Sequence, residues 1–374
     1  MVNEERIIRE FEKLVSFDSE SYSEWEIKEY LKQKLQSLGL TVTEDDAGEQ
    51  LTGKSTGSAG NLYGILPGNK EGEPILFSAH MDTVSPGVGK QAILHEEGMI
   101  TSDGTTVLGA DDIGGLVSIL EALTIIQEQA IPHPDIEVIF SVAEELYCKG
   151  AGVFDYTRVR SRIAYVLDLV GDIGTAALSA PSILSVEVAV QGKAAHAGFA
   201  PEDGINALNI AVQALSEIQV GHVSADTTVN FGTIEGGSGK NIVPEWIHIT
   251  GEIRSLRHEK ALERAEEIKQ IFEAKAADAG ARVKVHITEE LKAYRIDPGE
   301  AVVRRYEQAL TELKYVYPQY VDTFGGSDNN HLNKNGIHGI VIANAMHEVH
   351  TTHEYTRISE LVQSAEITLK LMTL

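Results

Sequence analysis

The sequence predicts an α/β protein in which a mixed sheet flanked by helices is interrupted by an inserted α+β domain. Strand and helix patterns alternate through residues 1–180, which is typical of a sheet covered on both faces. A βαββαβ pattern of domain size occupies residues 181–292, and a helix-then-strand pattern resumes over 293–374. We therefore expect one domain built from 1–180 and 293–374, and a second built from 181–292.

The elements of the first domain follow from the spacing of apolar residues. Apolar side chains recur at helical spacing over Ile7–Val15 and again over Trp25–Leu35, before Gly39 ends the pattern. A third helix begins near Asp111, and the Gly-, Ser- and Thr-rich stretch Gly48–Gly60 predicts a loop. Strands are predicted, in chain order, at Thr41–Glu44, Leu62–Leu66, Ile75–Ser78, Ile136–Val142 and Ile163–Leu167.

The inserted domain begins where the pattern changes, near Ala180 and Pro181. Apolar and polar residues alternate over Ser185–Gln191, as expected of a strand with one buried face. The block suits an open, ferredoxin-like sheet with two helices on one face. Its other elements are predicted as a helix at Ile205–Ile218, strands at Thr228–Ile234 and Trp246–Ile253, a helix at Glu259–Ala277 and a strand at Arg282–Ile287.

Charge and composition exclude several classes of function. The 374 residues include 56 acidic and 31 basic ones, a net charge of −25 that repels phosphate, so we expect neither nucleic acid nor a membrane as a partner. The apolar stretches are far shorter than the ~20 residues of a membrane helix, and the first residues lack an apolar signal core. The single cysteine, Cys148, is interpreted as a packed thiol in a reducing compartment. We expect a soluble, cytoplasmic protein.

Polar residues stand at the ends of apolar strands. His80 and Asp82 end one strand, and residues two apart on a strand point to the same face, so Asp82 can hold the ring of His80. Adjacent Glu144 and Glu145 follow another strand, where burial without cations would be costly. A solvated loop is the alternative for these two acids. Asp168 ends a third strand.

Further candidates lie at a helix start and near the end of the sequence. Asp111 and Asp112 stand between glycines, and only one of them is needed as a helix N-cap. Histidines cluster over 347–353, although chance clustering is an alternative there. Because ligands bind outside the carboxyl ends of strands in open α/β sheets, these residues are expected to converge. Imidazoles and carboxylates suit zinc, or less selectively manganese or cobalt, and five or six ligands are enough for two ions sharing a carboxylate.

In their order along the chain, these motifs resemble metallopeptidase family 20, which includes aminoacylases, glutamate carboxypeptidases and peptidase T. Two further motifs, Lys193–Gly198 and Gly325–Asp328, resemble that family's lid and substrate-side motifs. The resemblance implies two zinc ions per chain, with cobalt or manganese as substitutes, and a homodimer formed through the inserted domain. It also implies a cis peptide bond between Asp111 and Asp112. The motifs that carry the resemblance are H-x-D at His80, G-A-D-D-x-x-G at Gly109, E-E at Glu144, the acid Asp168, and H-x-x-x-E-Y at His350.

The resemblance also implies the ligand sets. One ion would be held by His80, Asp111 and Asp168. The other would be held by Asp111, Glu145 and His350, with Asp111 bridging. His350 is preferred to the neighbouring histidines because it stands four residues before Glu354. Asp172 is the rival of Asp168, and it suits a turn better.

The remaining roles are implied in the same way. Asp82 would orient His80, Glu144 would be the general base, and His196 would reach the metals of the partner chain in a dimer. Arg254 resembles a substrate-binding position, although a surface ion pair explains an arginine there equally well. The other residues at substrate-binding positions are Asn241, Gly326 and Ser327.

The implied reaction is the hydrolysis of a short peptide. Two cations would lower the pKa of a bridging water so that hydroxide is available, and Glu144 would move its proton to the leaving amine. Within the family, an aspartate at the position of Asp168 favours release of the N-terminal residue, which is the reaction of a tripeptidase. Two alternatives remain open at this stage: an N-acyl amino-acid amidohydrolase or carboxypeptidase, and a non-catalytic metal-binding homologue.

Overall fold

The computed structural model describes residues 2–54, 58–314 and 318–374. Its chain divides into two compact units. The first unit runs to Ser179 and resumes at Arg295–Thr323 and Ser327–Leu374. The second unit, called the inserted unit below, comprises Ala180–Tyr294 and Phe324–Gly326. The predicted fold class, a mixed α/β sheet with an inserted α+β domain, is confirmed.

Helices and strands alternate through most of the chain. The α-helices are α1 (Glu4–Val15), α2 (Trp25–Ser37), α3 (Ala47–Thr52), α4 (Ala110–Gln129), α5 (Lys149–Val153), α6 (Ala207–Glu217), α7 (His258–Asp278), α8 (Ala301–Leu313), α9 (Asn329–Lys334) and α10 (Ile358–Thr373). The strands are β1 (Thr41–Glu44), β2 (Leu62–Leu66), β3 (Ile75–His80), β4 (Ile93–Leu94), β5 (Met99–Thr101), β6 (Ile136–Ser141), β7 (Ile163–Leu169), β8 (Thr175–Ala180), β9 (Ser182–Gln191), β10 (Gly221–Ser224), β11 (Thr227–Gly236), β12 (Trp246–Ser255), β13 (Arg282–Leu291), β14 (Tyr294–Arg295), β15 (Gln319–Asp322), β16 (His338–Ala343) and β17 (Tyr355–Arg357).

The main sheet of the first unit brings several strand ends to one edge. Its spatial order includes the run β1-β2-β6-β3-β7-β16-β8. The strands β6, β3, β7 and β16 are mutually parallel, whereas β2 and β8 pair antiparallel at either side of them. Every residue of β3 and of β6 is buried, as expected of strands covered on both faces. The carboxyl ends of β3, β6 and β7 therefore lie side by side.

The helix α4 is the central helix of this unit. Apolar residues surround it on nearly all sides, which is typical of a helix buried in a core. It packs on β3 and β7 and also contacts α1 and α10. This packing fixes the first turn of α4, with Asp111 and Asp112, near the sheet.

The inserted unit is an antiparallel sheet in the order β10-β11-β12-β9-β13. The helices α6 and α7 contact each other and the sheet around one apolar core, which includes Phe272, Ile249 and Val188. The strand β10 was not predicted, so the sheet has five strands where the sequence predicted four. Because β10 is short and mostly exposed, it carries no apolar signal.

The first unit also departs from the sequence prediction at several elements, among them α5, which was not predicted. The prediction of a loop over residues 48–60 is wrong in part, because α3 lies there, and residues 55–57 fall outside the described residues. The strand β8 and a small sheet of β17, β5 and β4 were not predicted. Among the described helices, none combines the length and the apolar character needed to cross a membrane.

Candidate metal centre

The ring of His80 is held at both nitrogens. His80 is the last residue of β3 and is 2% exposed. Its Nδ1 lies 2.9 Å from the backbone oxygen of Asp82 and 3.4 Å from Asp82 Oδ1. Its Nε2 lies 3.0 Å from Asp111 Oδ1. The contact at Nδ1 fixes the orientation of the ring and leaves Nε2 directed toward Asp111.

The carboxylate of Asp82 also holds the turn that follows β6. Its Oδ1 accepts the backbone N–H of Glu144 at 2.9 Å, and its Oδ2 accepts that of Glu145 at 3.2 Å. Ser21 Oγ donates to the same Oδ2 at 2.7 Å. One buried carboxylate therefore positions both the end of β3 and the two acids that follow β6.

The first turn of α4 is shaped by acids on both sides. The peptide bond between Asp111 and Asp112 is cis, as the resemblance implies. Asp112 accepts the backbone N–H of His80 at 3.1 Å and that of Gly115 at 3.1 Å, so it ties α4 to β3. Asp112 is thus a structural acid, and Asp111 is free to face the sheet edge.

Glu354 caps this turn from a distant part of the chain. Its Oε2 accepts the N–H of Gly109 at 2.7 Å, and its Oε1 accepts the N–H of Asp111 at 3.0 Å. Burial raises the pKa of Glu354 to about 7, although these backbone N–H groups lower it. The sequence motif located Glu354 only as a marker for His350 and did not predict this role. The sequence offered one signal for it: the N-cap residue of α4 is Gly109, which has no side chain to accept the first N–H groups of the helix.

Two groups of donor atoms converge at the sheet edge. In the His80 set (His80, Asp111 and Asp168), the donor atoms all lie within 4.8 Å of one another. The same holds for the His350 set (Asp111, Glu145 and His350). The structure thus brings together all five residues that the resemblance assigns as ligands.

Asp111 belongs to both sets and uses one oxygen for each. Its Oδ1 lies 3.0 Å from His80 Nε2, and its Oδ2 lies 3.3 Å from His350 Nε2. His350 Nε2 lies 2.9 Å from Glu145 Oε2. The other oxygen of Glu145, Oε1, is buried and has no hydrogen-bond partner among the described residues. A carboxylate placed between two donor sets is the arrangement that bridges a pair of ions.

Buried negative charge is concentrated in this centre. Burial raises the pKa of Asp168 well above its ordinary value, and the neighbouring Glu144 and Asp111 raise it further. Burial also raises the pKa of Glu145. Hydrogen bonds to Asp111 and Glu145 in turn raise the pKa of His350 to about 10. The carboxylates outnumber the two imidazoles, so divalent cations would lower the cost of burying them.

The donor chemistry fits such ions. Each set supplies one imidazole nitrogen and two carboxylate groups, which suit zinc and also cobalt or manganese. Three protein ligands leave positions open for water and substrate, as catalytic zinc sites do. The unpartnered Glu145 Oε1 gives independent support, because a bound ion would satisfy it.

Glu144 lies beside the two sets without belonging to either. Its Oε2 is 4.0 Å from His80 Nε2, and its Oε1 accepts a hydrogen bond from Cys148 Sγ at 3.1 Å. Burial raises the pKa of Glu144 well above its ordinary value, with Asp328 and Glu145 adding to the rise. A carboxylate with a raised pKa is suited to accept a proton near neutral pH.

His196 belongs to the inserted unit and is exposed. Its Nδ1 accepts the backbone N–H of Gly198 at 3.1 Å and that of Phe199 at 3.2 Å. Because Nδ1 acts as an acceptor, the proton of the neutral ring must lie on Nε2. The ring therefore presents an N–H donor to whatever faces its Nε2.

The four residues at substrate-binding positions fall in two units. Arg254 belongs to the inserted unit, where it pairs with Glu252 at 2.8 Å and donates to the backbone oxygen of Phe324 at 2.9 Å. Asn241 is exposed in the same unit. Gly326 lies against Leu291, whose side chain would have to move to admit a Cβ, since that Cβ would lie 2.2 Å from its methyl carbon.

Ser327 belongs to the unit that contains the metal centre, and it is buried. Its Oγ accepts the backbone N–H of Asn329 at 3.3 Å. Its own backbone N–H donates to Asn330 Oδ1 at 3.2 Å. These contacts hold the start of α9, and they place Asp328 next to Ser141, whose hydroxyl donates to it.

We predict that zinc raises the melting temperature of the protein more at about pH 8 than at about pH 5.5. An acid whose pKa is raised by folding stabilises the folded state at low pH, and this contribution is lost as the pH rises toward the folded value. The raised pKa values of Asp168 and Glu145 therefore weaken the metal-free fold at higher pH, where deprotonated donors bind zinc better. Differential scanning fluorimetry with and without zinc measures both shifts. Calcium, which prefers more oxygen ligands, is the control, and a larger zinc shift at the lower pH would contradict the prediction.

Two family profiles match the chain. A profile described as a peptidase dimerisation domain matches residues 178–280, which form most of the inserted unit. A profile described as peptidase family M28 matches residues 61–227, which include the ends of β3, β6 and β7. Both profiles thus describe peptidases, and the second runs from the first unit into the inserted one.

Relatives extend the match over the whole chain. The uncharacterised protein YqjE of Bacillus subtilis is 39% identical over 373 residues, which cover 100% of this chain and 99% of YqjE. The aminopeptidase PepT of Bacillus cereus, a crystal structure, is 38% identical with a TM-score of 0.90 and covers 100% of this chain and 98% of its own. A tripeptidase of Staphylococcus aureus is 33% identical with a TM-score of 0.94 at the same coverage. The chain is therefore a peptidase that belongs to metallopeptidase family 20, the family of the peptidase T aminopeptidases.

Proposed function

We propose that this peptidase releases the N-terminal residue from short peptides, as a tripeptidase does, and that it uses two zinc ions per chain. The His80 set would hold one ion and the His350 set the other. The position of Asp111 carries the proposal, because its two oxygens face different donor sets at 3.0 Å and 3.3 Å. The likeness to an aminopeptidase and a tripeptidase supports the substrate class. Cobalt or manganese would suit the same donors.

The mechanism assigns different work to neighbouring residues. When bound, the two ions would polarise the substrate carbonyl and lower the pKa of a shared water. Glu144 would accept the proton of that water and deliver it to the leaving amine. Asp82 would fix the position of Glu144 relative to His80, since its carboxylate accepts the backbone N–H of Glu144 and lies beside the ring of His80.

His196 would serve the partner chain of a homodimer formed through the inserted unit. The match to a peptidase dimerisation domain includes this residue and supports the dimer. The free N–H at Nε2 supports a donor role toward the carbonyl oxygen as that oxygen becomes negative.

Contacts with the substrate are proposed for four further residues. Arg254 uses three of its five N–H groups within the inserted unit, so two remain for a peptide carboxylate. Asn241 would bind a peptide carbonyl through its side-chain amide. Gly326 and Ser327 would line the path of the substrate backbone.

A panel of short peptides tests the reaction. We expect the zinc-loaded protein to release the first residue from free tripeptides and to leave their N-acetylated forms intact, because an aminopeptidase requires the free amine. Mass spectrometry identifies the products, with cobalt and manganese tried in parallel and a chelator-treated sample as the control. Hydrolysis of N-acetyl amino acids, or release of the C-terminal residue, would instead identify the acylase or carboxypeptidase alternative.

The adjacent acids Glu144 and Glu145 form a matched pair for mutation. Glu144→Gln should retain both ions and lower kcat by ~10²–10⁴-fold, because the amide keeps the shape and cannot accept the proton. Glu145→Gln should lose most of one ion. Plasma mass spectrometry gives the metal content, and steady-state kinetics gives kcat. If Glu144→Gln lost an ion and Glu145→Gln kept both ions but lost activity, Glu145 would be the base and Glu144 the ligand.

Mixed dimers test the role of His196. Chains carrying His196→Ala and chains carrying Glu144→Gln should each lose activity alone, the first by ~10²–10³-fold as for loss of one oxyanion donor. After subunit exchange, part of the activity should return, because one site of each heterodimer combines an intact Glu144 with the partner's intact histidine. Lack of recovery in heterodimers verified by native mass spectrometry would refute action across the dimer.

A further inference from the structure

We propose that Glu144, Cys148 and Asp328 form a third cation site, specific for thiophilic divalent ions such as zinc. An ion bound there would occupy Glu144 and block the reaction. The site stands on geometry alone, whereas the block rests on the function proposed for Glu144.

The three side chains converge in the interior of the first unit. One donor atom from each lies within 4.8 Å of the other two. Glu144, Cys148 and Asp328 are 8%, 1% and 3% exposed. Glu144 and Cys148 belong to one tight turn, closed by a hydrogen bond from Cys148 N to the backbone oxygen of Glu144 at 2.6 Å. Asp328 comes from the start of α9, so two separate segments supply the donors.

This cluster has more hydrogen-bond acceptors than donors. The thiol of Cys148 donates to Glu144 Oε1 at 3.1 Å, and the hydroxyl of Ser141 donates to Asp328 Oδ2. Asp328 Oδ1 is buried and has no hydrogen-bond partner among the described residues. Since a thiol carries a single proton, Cys148 cannot satisfy both carboxylates. A buried acceptor without a donor is costly, and a cation would remove that cost.

The donor set determines which ions would bind. A sulfur atom with two carboxylate groups suits zinc and softer ions, whereas magnesium and calcium prefer oxygen ligands alone. Binding replaces the thiol proton by the metal, so a proton leaves Cys148 for solvent as the sulfur–metal bond forms. Burial raises the pKa of Cys148 well above its ordinary value, so the thiol would give up its proton only to an ion that binds the sulfur strongly.

The cluster is adjacent to the His80 set. Glu144 Oε2 lies 4.0 Å from His80 Nε2, so Glu144 faces both groups of donors. The cluster shares no residue with the His80 set or the His350 set, so an ion bound there would take no donor from either of them. Zinc would then activate the protein at low concentration and inhibit it in excess.

Cadmium titration of the zinc-loaded protein tests the site. In the wild type we expect a further bound ion by native mass spectrometry, a thiolate-to-cadmium charge-transfer band in the ultraviolet, and a fall in activity of roughly tenfold or more as Glu144 is engaged. Cys148→Ser is the matched control, because its hydroxyl can still donate to Glu144 while the soft sulfur is gone. Cys148→Ser should show no charge-transfer band and bind no further ion. Cadmium should leave the activity of this variant at the value measured for it without cadmium. Asp328→Asn should weaken the band.

The outcomes separate the site from the reaction. No charge-transfer band in the wild type, or equal binding of the further ion by Cys148→Ser, would overturn the third site whatever the enzyme hydrolyses. A band and a further ion without loss of peptidase activity would overturn the block and the role of Glu144 as base. Circular dichroism of each variant establishes that the fold is retained.

Discussion

The carboxylate of Asp82 is the constraint on which the metal centre depends. It lies beside Nδ1 of His80 and accepts the N–H groups of Glu144 and Glu145, so it joins the carboxyl ends of two neighbouring parallel strands. The sheet alone brings these ends within several ångströms of one another, because β3 and β6 pair in parallel. The contacts of Asp82 then fix the positions of His80, Glu144 and Glu145 relative to one another.

The sequence predicted strands rich in apolar or β-branched residues better than strands built from small residues. The bounds of β2 were predicted correctly, since an apolar run bounded by polar residues is typical of a strand buried on both faces. The strand β8 was missed because Thr175–Ala180 consists mainly of small residues, which carry neither alternation nor β-branched character. Its burial comes from its neighbours in the sheet, a cause that lies outside its own sequence.

The candidate site also contains residues that the sequence could predict and residues whose roles it could not. His80, Glu145 and Asp168 could be proposed from sequence because a polar residue at the end of an apolar run is unusual and has a chemical reason. Glu354 could not be assigned its role, since its partners are backbone N–H groups 245 and 243 residues away, and every residue except proline has such a group. The shortage of donors around Asp328 was equally invisible, because it depends on where Ser141 and Cys148 lie in space.

The cap that Glu354 places on α4 makes the assembly of the donor sets depend on the order in which the chain is synthesised. The strand β16 lies between β7 and β8 in the sheet, yet it is made after both of them and after the whole inserted unit. His350 and Glu354 follow it, so a nascent chain that extends only to the end of the inserted unit still lacks one residue of the His350 set and the cap on the turn that holds Asp111. Domains form as their residues leave the ribosome, and here the donor sets around Asp111 cannot be completed before the chain has been made as far as His350. A chain interrupted within the inserted unit therefore carries the whole His80 set but an incomplete His350 set.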